Sequence, residues 1–236
     1  MSAIVGIYFL DGRPVERTDL ERMVQSVVSL GPDGAGLWSE GPVGLGHRMF
    51  WTTPESLHEK LPLVNETGDL VLTADARIDN REELIAALGV TGRPHEAISD
   101  SALILGAYEK WGERSQEKLL GDFAFAIWDR RKQVLFCARD HFGVKPFYYY
   151  RSGRAFVFGS EIKTLLCLSE VPRRLNEVRI GDYLASLLED QAITFYQDVF
   201  RLPAAHSITV SSYERQPMHY WSLDPSREVR LASNEA

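Results

Sequence analysis

The sequence predicts an α+β fold of two stacked antiparallel sheets with helices outside them. Three observations predict it. Strand-like stretches rich in aromatic and β-branched residues come in runs at short intervals. Helical stretches fall in separate groups, which argues against a wound parallel sheet. Several strands, such as AFAIW (124–128) and AFVFG (155–159), are apolar on both faces, and a strand buried on both sides needs a layer over each.

Taken in order, an apolar run from Ala3 to Phe9 opens the chain almost at its terminus. Termini fray unless something ties them down, so an apolar run this close to the terminus reads as a core strand. Residues 14–30 form an amphipathic helical pattern with Leu20, Met23, Val24, Val27 and Val28 on one side. GPDGAG (31–36) is a turn-rich loop. VGLGHRMF (43–50) and LVLTADARI (70–78) read as strands. DNREELIAAL (79–88) is a helix with Asp79 as its N-cap, and residues 99–112 are a second capped helix closed by Gly112. Stretches 123–129, 134–140, 146–152 and 155–160 read as an antiparallel meander. Residues 160–168 and 178–188 read as helices, and 206–211 and 218–223 as closing strands. One domain spans residues 1–224; from 225 to 236 the chain turns polar and patternless, as an exposed tail or the start of a linker.

The composition, 44% hydrophobic and 25% charged with a net charge of −7, is that of a globular protein. It lacks the clustered basic face that nucleic acid requires. The two cysteines, Cys137 and Cys167, sit in apolar surroundings and read as buried free thiols. The six histidines show no ligand spacing, so no metal site is expected. No apolar run is long enough for a membrane span and no signal peptide precedes the first strand. A cytoplasmic setting without membrane or nucleic-acid partners is expected.

Six stretches can carry chemistry: GPDG (31–34), GLGHRMF (44–50), TADARIDN (73–80), SDS (99–101), GDFAFAIWD (121–129) and RDHFGVKPFYYY (139–150). Each alone is a turn, a strand or a locally paired charge. Together and in this order they resemble the glutamine amidotransferase domain of asparagine synthetase, a member of the N-terminal-nucleophile hydrolases. The family begins Met-Cys-Gly-Ile-Val-Gly where this chain begins MSAIVG. Its RGPD, GHRRL, NGEIYN and SD loops align with LGPD, GHRMF, DARIDN and SD, and TFYQDVFRLPAAH (194–206) and HYWSL (219–223) resemble the domain's end. The resemblance implies a four-layer αββα sandwich. It also implies a nucleophile at the second residue after loss of Met1, with the α-amine of that residue as base. An asparagine side chain and a glycine N–H would hold the oxyanion. An arginine, a glutamate and an aspartate would hold the substrate's carboxylate and ammonium.

Mapped residue by residue, the nucleophile position is Ser2, the oxyanion-hole positions are Asp75 and Ala76, and the substrate-binding positions are Arg48, Met49, Arg77 and Asp100. Several of these depart from the pattern. Ser2 replaces cysteine, and its hydroxyl is a far weaker acid than a thiol. Ala3 and Ala76 replace glycines. Asp75 has no N–H to donate, and the loss of one oxyanion donor typically costs ~10²–10³ in rate. Arg77 stands where an anion should meet the substrate's ammonium. A pocket that no longer hydrolyses glutamine is expected, closed by its own ion pairs: Arg48 with Asp75, and Asp100 with Arg77 or capping the helix from Ser101.

The resemblance further implies a parent ligase that activates a carboxylate with ATP and magnesium in a C-terminal synthetase domain. The Ser-Gly-Gly-x-Asp-Ser phosphate loop of such a domain does not occur in these 236 residues. ADARIDNREEL (74–84) resembles the asparagine-synthetase-like cyclases of lasso-peptide gene clusters, for which a precursor peptide is the partner. An active serine-type glutaminase feeding asparagine synthesis, and a non-catalytic docking module, are the alternatives.

Overall fold

The computed structural model describes residues 1–92, 94–187, 189–211 and 216–226. The chain runs β1 (Ala3–Phe9), α1 (Arg17–Ser26), β2 (Gly34–Glu40), β3 (Val43–Met49), β4 (Leu63–Val64), β5 (Leu70–Ile78), α2 (Arg81–Leu88) and α3 (Asp100–Trp111). It continues through β6 (Gly121–Asp129), β7 (Val134–Arg139), β8 (Tyr148–Arg151), β9 (Ala155–Gly159), α4 (Ile162–Leu165), α5 (Glu177–Leu184), β10 (Val199–Arg201), β11 (His206–Val210) and β12 (Met218–His219).

Two six-stranded sheets result, ordered β10-β8-β9-β1-β3-β2 and β12-β11-β7-β6-β5-β4. Side chains alternate across each strand, so each sheet has an inner and an outer apolar face. Ile4, Tyr8, Val43 and Leu45 of the first sheet meet Val71, Ala126, Trp128 and Cys137 of the second in a shared inner core. The outer face of the first sheet packs on Leu20, Met23 and Val24 of α1 and Leu165 of α4. The outer face of the second packs on Leu84 and Ile85 of α2 and on Leu103, Ile104 and Ala107 of α3. This is the expected αββα layering.

The closeness of α1 has a cause in β3. Gly44, Gly46 and Arg48 lie on the strand's outer face, and a Cβ on Gly46 would come within 2.5 Å of Val24. Two missing side chains let the helix settle on the sheet.

Several expectations need correction. The meander is divided: β6 and β7 pair in one sheet, β8 and β9 in the other. Strands at Gly34–Glu40 and Val199–Arg201 were not expected, because both are short or half-exposed and lack clear alternation. Val28 is exposed, since α1 ends at Ser26. Asn80, not Asp79, stands at the start of α2. It makes no capping bond there, but ties the loop to Lys118 O and Leu120 N. Cys137 is buried and Cys167 only partly so; both are free thiols. The stretch from 227 onwards, expected as a tail, lies outside the described residues.

Candidate functional site

Ser2 sits immediately before β1, at one end of the cleft between the sheets. β1 is buried along its whole length, so Ser2 is held by a rigid strand. Its Oγ accepts a hydrogen bond from the Phe50 N–H at 3.1 Å. Ser2, Glu59, Asp75, Arg77, Asp100 and Lys145 line a cavity of about 280 Å³.

Parity in β5 selects what faces the cleft. Leu70, Leu72, Ala74, Ala76 and Ile78 pack toward α2 and α3. Val71 and Thr73 point the other way, into the inner core and toward His47. Asp75 shares that second face. It is 5% exposed and pairs through Oδ1 with Lys145 Nζ at 3.0 Å. Burial pushes its pKa up, while Lys145 and the chain's terminal amine pull against that. Its Oδ2 is buried without a hydrogen-bond partner.

Lys145 belongs to the RDHFGVKP stretch, and the loop's chemistry explains its placement. The Asp140 carboxylate accepts from the N–H groups of Phe142, Val144 and Lys145. Arg139 donates to the carbonyls of Lys145, Leu202 and Gly143. Gly143 has φ +66°, and a Cβ there would meet the Arg139 guanidinium at 3.0 Å. Arg139 and Asp140 thus hold loop backbone, and the loop aims Lys145 at Asp75.

The expected ion pairs do not form. Arg48 does not pair with Asp75. It lies on the outer face of β3 and donates to Val24 O at 3.2 Å and Gln25 Oε1 at 3.0 Å on α1. A one-residue step in a strand changes the face; Met49, on the other face, lies near Gly34. Neither residue is among those lining the cavity. Arg77 does not pair with Asp100. It is largely exposed and pairs with Asp79 at 3.1 Å. Asp100 pairs with Arg81 and accepts from the Ile78 N–H at 3.0 Å, tying the start of α3 to the end of β5. The helix itself is capped by Ser99, whose side chain accepts from the Ala102 N–H. Ala76 lies opposite Phe123 in the β5–β6 ladder and packs against the helix-side core.

Three residues of the site were missed. Lys145 and Arg81 lie inside stretches already singled out, in KP and in the helix start, but only tertiary placement gives them their partners. Glu59 comes from a loop without pattern; it accepts from Ser101 N and Oγ at 3.1 and 2.7 Å. Burial raises its pKa and that of Asp100. Among the described residues, no three His, Cys, Asp or Glu side chains are grouped to hold a metal ion, and no helix is long and apolar enough to cross a membrane.

Two antiparallel sheets between helices, with the second residue at the cleft mouth, define the fold of the N-terminal-nucleophile amidotransferases. Solved structures share it. A glutamine phosphoribosylpyrophosphate amidotransferase from B. subtilis superposes with a TM-score of 0.65 at 15% identity, covering 92% of this chain and 49% of that one. An allosteric regulatory enzyme of purine biosynthesis gives 0.66, also at 15% identity, with 92% and 48% coverage. The chain belongs to the glutamine amidotransferase domain family, whose model matches residues 1–221. Curated relatives include asparagine synthetase [glutamine-hydrolyzing] 3 of Bacillus subtilis (strain 168), 28% identical over 91% of this chain and 35% of its own length. A putative asparagine synthetase [glutamine-hydrolyzing] 2 of Methanocaldococcus jannaschii is 27% identical over 92% of this chain and 46% of its own length. The chain thus spans between a third and a half of these relatives.

Proposed function

We propose that this chain is the N-terminal glutaminase-like domain of a longer, asparagine-synthetase-like, ATP-dependent ligase of the cytoplasm, and that its own pocket does not hydrolyse glutamine. One observation carries the reading: Asp75, at the oxyanion position, is a buried carboxylate bound to Lys145 beside Ser2. An oxyanion needs donors aimed at it, and a carboxylate offers repulsion. Three features of the site add to this. The Ser2 Oγ already accepts from Phe50, Arg48 is engaged on α1, and Arg77 brings a cation where the substrate's ammonium would sit.

The full-length relatives are named for asparagine synthesis from glutamine. A ligase that uses a peptide amine as its nucleophile needs no ammonia, so a silent first domain suits the lasso-peptide cyclase branch. In this reading the partner is a C-terminal synthetase domain beyond residue 224, and a precursor peptide is the substrate. ATP and magnesium belong to that further domain; this chain has no phosphate loop to hold them. Ammonia and glutamate release from glutamine is the test, and absence of both is the expected result. Turnover abolished by Ser2→Ala would favour an active serine-type glutaminase instead.

A docking role is a second reading, favoured by α5. The helix buries none of its side chains and exposes Val178, Tyr183 and Leu184. Exposed apolar side chains of this kind suit contact with the remainder of a longer polypeptide.

A further inference from the structure

The two oxygens of Asp75 are treated differently. Oδ1 holds Lys145 at 3.0 Å; Oδ2 is buried and unpartnered. A carboxylate oxygen left without a donor in the interior is costly. Ser2 lines the same cavity as Asp75, and its backbone N–H stabilises the charged form of that carboxyl. While Met1 is attached, that nitrogen is a neutral amide with one hydrogen.

We infer that loss of Met1 completes this site, so that the α-ammonium of Ser2 pairs with Asp75 Oδ2 and forms a buried Lys145–Asp75–Ser2 cluster. Water hydrolyses the Met1–Ser2 peptide bond on a methionine aminopeptidase, free methionine leaves, and the Ser2 nitrogen becomes a primary amine that takes up a proton. Met1 is 44% exposed and Ser2 is small, so the bond is open to such an enzyme. The inference rests on the reading that glutamine is not turned over. It also deepens that reading: an amine held as ammonium by a carboxylate cannot serve as the base that serine would need.

Charges on every neighbouring element enter the balance. For the amine on Met1, burial is the largest influence and lowers its pKa, Asp75 of β5 raises it, Lys145 lowers it, and Asp33, before β2, raises it. Glu59 interacts with Asp75 and adds further negative charge, and Asp100, Asp122 and Arg77 line the same cavity. Once the Ser2 ammonium sits on Asp75 Oδ2, that direct contact outweighs both burial and Lys145, whose own charge is already spent on Oδ1.

The experiment uses the purified full chain. Intact mass should show Met1 absent. Trace acetylation with acetic anhydride across pH, read by peptide mass spectrometry, then gives the titration midpoint of the Ser2 amine. It should lie about one unit above the ordinary α-amino value of about 7.7–8.0, and Asp75→Asn should lower it by at least that much. Retained Met1, a midpoint within or below the ordinary range, or a midpoint unmoved in Asp75→Asn would overturn the inference. If the variant does not fold, the native midpoint decides alone. Ammonia release measured on the same preparation separates the two ideas. Turnover with a raised midpoint would sink only the glutamine reading, and no turnover with an ordinary midpoint would sink only the ion cluster.

Discussion

Lys145 Nζ lies 3.0 Å from Asp75 Oδ1, and both side chains are largely buried. The pair joins the loop after β7 to the middle of β5 across the mouth of the cleft. Removing one partner of a buried pair leaves an uncompensated charge, typically at ~3–5 kcal/mol, whereas replacing both can be neutral. Lys145→Met should therefore destabilise the domain by about 3 kcal/mol in urea unfolding. Lys145→Met combined with Asp75→Leu should cost less than the two single changes summed, because contacting residues are not additive. Additive costs would contradict the pairing.

Arg81 and Arg77 provide a contrast within four residues. Arg81 binds Asp100 and the carbonyls of His95 and Ile98, and is mostly buried. Arg77 is exposed and bound to an exposed Asp79. Arg81→Met should lower stability by about 3 kcal/mol. Arg77→Met should change it by about 1 kcal/mol at most, as for other surface pairs. Thermal or urea midpoints of the two variants check this directly.

His47 sets an acid limit. It is fully buried between β3 and β5, 3.3 Å from Thr73 Oγ1, and burial drops its pKa from 6.5 to about 3. The unfolded chain therefore binds a proton below 6.5 that the folded chain refuses until about 3, so stability falls as pH falls through that window. At pH 5 the loss attributable to His47 is about 2 kcal/mol. The buried carboxyls act oppositely. Glu59, Asp75 and Asp100 have raised values, so their contribution is largest at low pH and is lost as pH rises through those values. His47→Gln should remove the acid loss and leave the gentle gain on acidification. Urea midpoints at about pH 5 and about pH 7.5 in both proteins read the difference.

The layers were legible because they follow from local rules. The apolar runs in β5 and β6, the capped start of α3 and the all-apolar β1 each fix an element without reference to the rest. The site was legible as a set of positions but not as a set of contacts. Arg48 shows why: its place in the chain was found, yet strand parity sends it to α1 while the cavity lies on the opposite face. Asp100 found Arg81 because a helix start and a strand end converge there, and no spacing in the sequence encodes that convergence. Lys145 needed the Asp140 loop to close before it could reach Asp75.

The most direct measurement is glutamine turnover by the intact chain, followed as ammonia and glutamate, together with that of Ser2→Cys. The pocket around Asp75 predicts no turnover in either, because a better nucleophile still faces the carboxylate and lacks an oxyanion donor from that side chain. Glutamine-dependent ammonia release from the native chain that disappears in Ser2→Ala, or release restored by Ser2→Cys alone, would contradict the account.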